Sequence, residues 1–404
     1  MNELLALALK RAGAENLRAF QQSFGLPVTG EADAATMAAL EPYLLGYRTV
    51  TIQEGDTFYL LAQRFETTIE AIETANPGVD TTKLVIGSQV IVPLNFPIVP
   101  TNIPMTAELC DYCIRGLAAR YPFCQSEVLG YSAYGRPIRT LVLGQGPRKV
   151  LYNASHHANE WITTPVLLKF AEELADAIAT NNTVLGIPGR QLAQAATVHL
   201  VPMVNPDGVD LVTGVLQPGD DGYEAARNLA SYYPQIPFPD GWKANLLGVD
   251  LNLNYPAGWQ EAKKIKYALG FTRPGPRDYV GRAPLDQRES VIMVNYTKKV
   301  DPALVLAYHT QGQVIYWQFR DYEVPGAEQL GKWFAEISGY ALEDVPYASS
   351  FAGYKDWFIQ EYRRPGYTIE AGLGENPLPI SQFDQIYHEN LGIMVLGMLP
   401  ESIL

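Results

Sequence analysis

Apolar positions along the chain change period three times, and each change marks a new block. In residues 1–45 the period is helical. Leu4, Leu5, Leu7 and Leu9 give one apolar helix, and Leu17, Phe20 and Phe24 line a second that Asn16 caps and Gly25 ends. Asp33 opens a third helix carrying Met37 and Leu40. Residues 46–94 follow a β-α-α-β order. An alternating strand from Arg48 precedes Gly55-Asp-Thr, where Asp56 or Thr57 caps a helix whose stripe is Phe58, Leu61, Ala62 and Phe65. A second helix runs from Thr67 to Ala75-Asn-Pro-Gly, and Leu84–Pro93 returns as a strand. Residues 95–104 hold three prolines and read as a semi-rigid linker. From 105 to 404 strands and helices alternate, which predicts an α/β domain. Its strands are expected at 136–144, 150–153, 197–204, 304–309 and 367–370, and its helices at 166–179, 287–299 and 327–339. Two segments rich in Pro, Gly and Tyr, 214–247 and 255–285, read as loops around a cleft.

Composition narrows the class. At 404 residues with 47% hydrophobic and 18% charged residues, the chain is globular and long enough for two or three domains. A net charge of −13 with no basic cluster argues against nucleic acid or an anionic membrane surface as partner. No apolar stretch reaches transmembrane length. Near the N-terminus the acid precedes the apolar run and the bases follow it, the reverse of a signal peptide, so a cytoplasmic or spore-associated location is expected. Cys110, Cys113 and Cys124 are too few and too close for a disulfide framework. In the amphipathic stretch 107–120 the first two read as small hydrophobes.

The candidate chemistry lies in Ala154-Ser-His-His-Ala-Asn-Glu-Trp161, between the strand at 150–153 and a helix opening at Thr163. Imidazole and carboxylate three positions apart at a strand's end can converge on one ion, and nitrogen with oxygen donors suits zinc. Spacing leaves open whether His156 or His157 is the ligand. Of the five histidines, His199 lies inside an apolar strand and His388 in a C-terminal helix, which fits structural roles. His309 ends a third apolar strand and supplies the missing ligand. Glu370 also ends a strand, before Ala-Gly-Leu-Gly, and is the candidate general base; a salt bridge to Arg363 or Arg364 is the plainer alternative. Asp250, in Gly248-Val-Asp-Leu-Asn, is placed to orient a ligand imidazole.

His157-x-x-Glu160, Asn205-Pro-Asp-Gly208, Gly248-Val-Asp-Leu-Asn, His309 and Ile369-Glu370 occur in an order that resembles the zinc carboxypeptidases of the carboxypeptidase A type, over residues 105–400. The resemblance implies a mixed eight-stranded sheet flanked by helices. It also implies one zinc on His157, Glu160 and His309, Glu370 as general base, and Asp250 behind His157. Where that family has Asn-Arg for a substrate's terminal carboxylate, this chain has Asn252-Leu253, and leucine offers no such pairing. Lys243 stands nearest to the expected carbonyl-polarising base, and Tyr347 or Tyr354 to the mobile tyrosine. Gly55-Asp-Thr, Asn76-Pro and Gly87-Ser-Gln-Val-Ile-Val-Pro resemble a LysM domain, which implies N-acetylglucosamine chains as ligand, with Thr57, Phe58 and Ile86 expected in the groove. Residues 17–40 resemble the helical peptidoglycan-binding domain. Gly372-Leu-Gly-Glu-Asn-Pro and Tyr354-Lys-Asp-Trp-Phe-Ile are similar to the γ-D-glutamyl-meso-diaminopimelate peptidases. Together these imply a zinc peptidase acting on peptidoglycan stem peptides. An ordinary carboxypeptidase conflicts with Leu253, and an inert wall-binding protein conflicts with the complete His/Glu/His/Glu set. For a substrate carboxylate the first candidate cation is Arg282, with Lys243 assisting; pairing of Arg282 with Asp278 or Asp286 is the alternative.

Overall fold

The computed structural model describes residues 3–400. The chain forms two compact units, one reaching to Ile103 and including Asp111–Gln125, the other made of Pro104–Cys110 and everything from Ser126 onward.

In the first unit, helices Glu3–Arg11, Leu17–Ser23 and Ala34–Leu45 begin where the caps require. Asn16 accepts from the Ala19 N–H at 3.0 Å and Asp33 from the Thr36 N–H at 2.8 Å. Gln21 is buried, and its amide donates to Thr29, Thr36 and the Glu31 carbonyl, so the polar group is satisfied inside the helical unit. Strands β1 (Tyr47–Thr51) and β2 (Gln89–Pro93) pair antiparallel around helices Phe58–Arg64 and Ile69–Ala75. Their core is Ile52, Phe58, Leu61, Ile72, Val90 and Val92. The caps are Thr57 and Thr68. This corrects one expected groove residue: Phe58 lies inside the core because the helix stripe needs it there. Ile86 stays 64% exposed, beside an exposed Val85.

The proline-rich segment is not a free spacer. Ile98 and Val99 are buried, Arg120 donates to the Phe96 and Leu94 carbonyls, and Cys113 contacts the Ile98 carbonyl. Helix Ala107–Arg120 therefore packs its later turns into this unit. All three cysteines are buried, and burial pushes the Cys124 thiol far up.

The second unit holds an eight-stranded mixed sheet. Its strands are β3 (Gln125–Tyr131), β4 (Pro137–Gly144), β5 (Arg148–Ala154), β8 (Ala196–Val201), β9 (Leu304–His309), β10 (Val314–Tyr316), β11 (Ala341–Glu343) and β12 (Gly366–Glu370). A two-residue hairpin supplies β6 (Thr183–Val184) and β7 (Ile187–Pro188). The order is β11-β10-β12-β9-β5-β8-β4-β3. Strands β12, β9, β5 and β8 run parallel, so their C-terminal ends share one edge of the sheet. Alternation then sorts the side chains. Tyr152 turns to one face, where its hydroxyl donates to Met394 in the helix Phe383–Met398. Leu151, Val305 and Ala307 join Met293 and Phe358 on the other.

The expected strands are present. The two expected loops also carry helices, Asp221–Ala230 and Trp259–Ala268, each short and bounded by residues that read as turns. Strands β10 and β11 have three residues each, too few for an alternating signal. Among the described residues no helix is long and apolar enough to cross a membrane.

A Cβ added at Gly116 would stand 2.2 Å from the Leu45 carbonyl oxygen. Gly116→Val should therefore destabilise the N-terminal unit by about 1–3 kcal/mol. Denaturant unfolding checks this, and an unchanged midpoint would show that the helix does not pack there.

Candidate metal centre and active-site cleft

Beyond β5 the backbone turns through Ser155 at φ +51°, a left-handed conformation that a non-glycine residue holds only when fixed by its surroundings. Thr163 and Thr164 do the fixing. Ser155 N–H donates to the Thr163 hydroxyl at 3.1 Å, and the Ser155 hydroxyl lies 2.8 Å from that of Thr164. A single 3₁₀ turn, Ala158–Glu160, follows His157. Its period of roughly three residues puts His157 and Glu160 on the same side.

His157 Nδ1 lies 2.9 Å from Glu160 Oε1, and His309 Nδ1 lies 2.9 Å from Glu160 Oε2. The two Nδ1 atoms are 3.2 Å apart. Asp250 Oδ1 meets His157 Nε2 at 3.1 Å. The Asp250 carboxylate accepts from Nε2–H, which would leave the Nδ1 lone pair to a bound metal. Three donor atoms thus face one point, all within 4.8 Å of one another. Zinc–nitrogen bonds of about 2.0–2.1 Å at tetrahedral angles give ligand-to-ligand edges of about 3.3 Å, near those observed. The donor set fits a zinc ion.

Burial opposes charge throughout this site, and the neighbours decide the outcome. It acts against the His157 cation, but Glu160 and Asp250 outweigh it and raise His157 to about 9. It acts against the Glu160 carboxylate as well, yet His157 and Lys243 hold that group well below its usual range. His156 is separate. Its Nε2 meets the Tyr255 hydroxyl at 2.9 Å in the core, and burial pushes its pKa down. The structure thus places His157, not His156, in the cluster.

Glu370 pairs with His309 across β12 and β9, so both side chains leave the same face of the sheet. It accepts no hydrogen bond from a described residue, and burial raises its pKa. The alternative salt bridge is absent among the described residues: Arg364 pairs with Asp301, and Arg363 caps its own helix. Lys243 Nζ lies 2.9 Å from Glu160 Oε1. Its backbone is laced in place, the carbonyl accepting from Ala158 N–H and the N–H donating to Pro276.

These groups line a cavity of about 980 Å³. Its walls include His157, Lys243, Asp250, Asn252, Leu253 and Glu370. Two sequence expectations are corrected. Arg282 is exposed outside this lining, because its loop folds back to give the Arg282 N–H to Asp286. Tyr354 is buried in the core with its hydroxyl 2.7 Å from that of Thr297, so it is not a cleft side chain. Tyr347 is 73% exposed beside Phe351, near lining residues Val345, Pro346 and Ser349. The sequence reading missed Lys266, Arg277, Asp278 and Lys355 in the wall. Pro274-Gly-Pro-Arg-Asp signals a turn, but nothing local says that this turn closes on Asp250.

The profile of the zinc carboxypeptidase family matches residues 111–392, the greater part of the chain. The chain belongs to the zinc carboxypeptidase family. It is therefore a metallopeptidase, and a LysM domain matches residues 50–93 and a peptidoglycan binding domain residues 14–40. A relative, gamma-D-glutamyl-L-diamino acid endopeptidase 1 of Lysinibacillus sphaericus, is 45% identical over 286 residues, 70% of each chain. The protein YqgT of Bacillus subtilis (strain 168) is 40% identical over 283 residues, 70% of this chain and 73% of that one. The carboxypeptidase A of Helicoverpa armigera shares the zinc carboxypeptidase fold at 19% identity, with a TM-score of 0.55 over 84% of this chain and 78% of that one.

Neither remaining histidine reaches the zinc carboxypeptidase centre. His388 Nδ1 contacts its own helix at Asp384, and His199 Nδ1 lies 2.8 Å from the Tyr296 hydroxyl. Burial, helped by Lys149, lowers His199 from 6.5 to about 4. Its folded pKa is depressed, so its contribution is intact above pH 6.5 and is lost as the pH falls toward 4. Thermal melting at pH 7 and pH 4.5 should show a smaller acid loss for His199→Gln than for the native chain. Equal losses would mean that this ring titrates normally.

Proposed function

We propose that the chain hydrolyses the amide between a γ-D-glutamyl residue and meso-diaminopimelate in peptidoglycan stem peptides, with one zinc held by His157, Glu160 and His309. Bound there, the metal supplies Lewis acidity toward water and the scissile carbonyl. The observation that carries the reading is Glu370, set in register beside His309 and open to the cleft. A carboxyl raised by burial can take a proton from the attacking water and return it to the leaving amine. Asp250 keeps the His157 ring in one tautomer and one orientation. Lys243 sets a fixed positive charge beside Glu160, where negative charge on the carbonyl oxygen would develop.

Three observations favour this substrate class. A relative at 45% identity is named for the same kind of bond. Leu253 is 7% exposed in the cleft wall and offers no pairing for a terminal carboxylate, which disfavours ordinary carboxypeptidase action. The LysM and peptidoglycan binding domains fit the same polymer, and tethering raises the local concentration of substrate.

Incubation with diaminopimelate-containing muropeptides, with products identified by mass, should show cleavage at the γ-D-glutamyl bond. Glu370→Gln should keep one zinc per chain but lose about 10²–10⁴ of the turnover. Near-normal turnover would assign the base elsewhere. For the glycan, Ile86→Asp should weaken sedimentation with purified sacculi and leave cleavage of soluble peptides unchanged. If sacculus binding is retained, the LysM surface lies on another side.

A further inference from the structure

We infer that the Arg277 guanidinium binds a free carboxylate of the substrate next to the scissile amide. The assignment rests on the function proposed above and names the recognition element that the sequence reading sought at Arg282.

Arg277 differs from the other cations of the cleft wall in the donors it leaves open. Four lysine and arginine side chains line the cavity: Lys243, Lys266, Arg277 and Lys355. Lys243 has Glu160 at 2.9 Å. Lys355 has Asp356 at 2.7 Å and also donates to the Gln318 carbonyl. The remaining two share a single carboxylate. Lys266 Nζ lies 2.6 Å from Asp278 Oδ1, and Arg277 Nε lies 2.6 Å from Asp278 Oδ2. Lys266 and Arg277 therefore divide the Asp278 carboxylate, one oxygen each. Lys266 is the more buried of the two, whereas the Arg277 side chain is 40% exposed. Among the described residues neither Arg277 Nη group has a hydrogen-bond partner. A guanidinium stays charged at any working pH, and its two Nη groups match the two oxygens of a carboxylate.

The placement is fixed from both sides. Asp278 is held at φ +65°, with its N–H donating to Asp250 Oδ2 at 3.2 Å, the same carboxylate that carries His157. On the other side, the Pro276 carbonyl accepts from Lys243 and Ala244 at 2.8 and 2.9 Å. Arg277 therefore stands between residues tied to the Asp250 and Lys243 supports, and it cannot drift from the reacting centre without breaking them. A γ-linked glutamyl residue keeps its α-carboxylate free, and the diamino acid brings a carboxylate of its own. Both flank the amide. With leucine at 253, Arg277 is the cation left to meet one of them.

Three peptides test this with the full-length, zinc-loaded chain: the γ-D-glutamyl–diaminopimelate peptide, its analogue amidated at the glutamyl α-carboxylate, and its analogue amidated on the diamino acid. Arg277→Gln should lose about 10- to 100-fold in kcat/KM on the parent, the worth of one charge-assisted pair. It should lose little on the analogue that lacks the bound carboxylate, and that analogue identifies which carboxylate Arg277 holds. Arg277→Lys should recover part of the loss. Melting temperature and zinc content confirm that both variants fold. An equal loss on all three peptides, or none on the parent, overturns the assignment and leaves the proposed function standing. A native chain that cleaves none of the three overturns both.

Discussion

The active-site unit is arranged around one costly object, the Glu160 carboxylate. It is almost wholly buried, and an isolated carboxylate in such a place would neutralise itself. It stays ionised because several donors reach it at once. His157 arrives from the turn after β5, His309 from the end of β9, Lys243 from the loop before Asp250, and Thr310 from its own N–H at 3.3 Å. These come from three different pieces of chain, with His309 and Thr310 adjacent at the end of β9. The parallel strand ends and the laced loops are what bring them together, so the sheet order is a precondition of the site and not just its setting. The same cluster of electron-pair donors is what a divalent metal takes up, which makes the cost of burying the carboxylate the source of the metal affinity.

A second carboxylate spreads this constraint across the cleft. Asp250 accepts from His157 with one oxygen and from the Asp278 backbone with the other. Asp278 then holds Lys266 and Arg277. The ring that would bind metal and the wall that would bind substrate are thus joined through one side chain. A substitution at Asp250 would disturb both, so its effect on turnover would not separate metal orientation from substrate placement. Arg277 lies one step further out, where the two can be told apart.

How much of this was legible in the sequence depended on range. Strands β5, β8, β9 and β12 and the helical caps announced themselves through local periodicity and side chains such as Asn16, Asp33 and Thr57. His157, Glu160 and His309 were legible because histidines are few and two strand ends carry them. Spacing alone could not separate His156 from His157. The left-handed Ser155 and the Tyr255 hydroxyl decide that, and both act through tertiary contacts. Phe58 and Tyr354 were misplaced for one reason: an aromatic at a helix start reads equally well as a surface contact or as core, and packing chose core. Arg277 was missed because what it can bind depends on which of its donors the folded neighbours occupy, a fact of tertiary placement. The linker reading was silent on packing, since three prolines make a segment stiff but say nothing about whether Ile98 and Val99 find a surface to cover.

The charge of the whole chain gives the proposed specificity its physical setting. At −13 the protein meets a substrate rich in carboxylates with a repulsive field, weakened over a Debye length of about 8 Å at physiological salt. Long-range steering therefore works against encounter, and binding has to come from contacts that act at close quarters. The LysM surface offers uncharged ones, with Val85, Ile86 and Tyr59 exposed. The cleft offers the open Nη donors of Arg277, tied close to the reacting centre. A molecule so arranged would ignore anions in general and respond only to a carboxylate delivered to that one point. A residue that contributed by general attraction would do the opposite, and raising the salt concentration would weaken its effect on every anionic substrate alike.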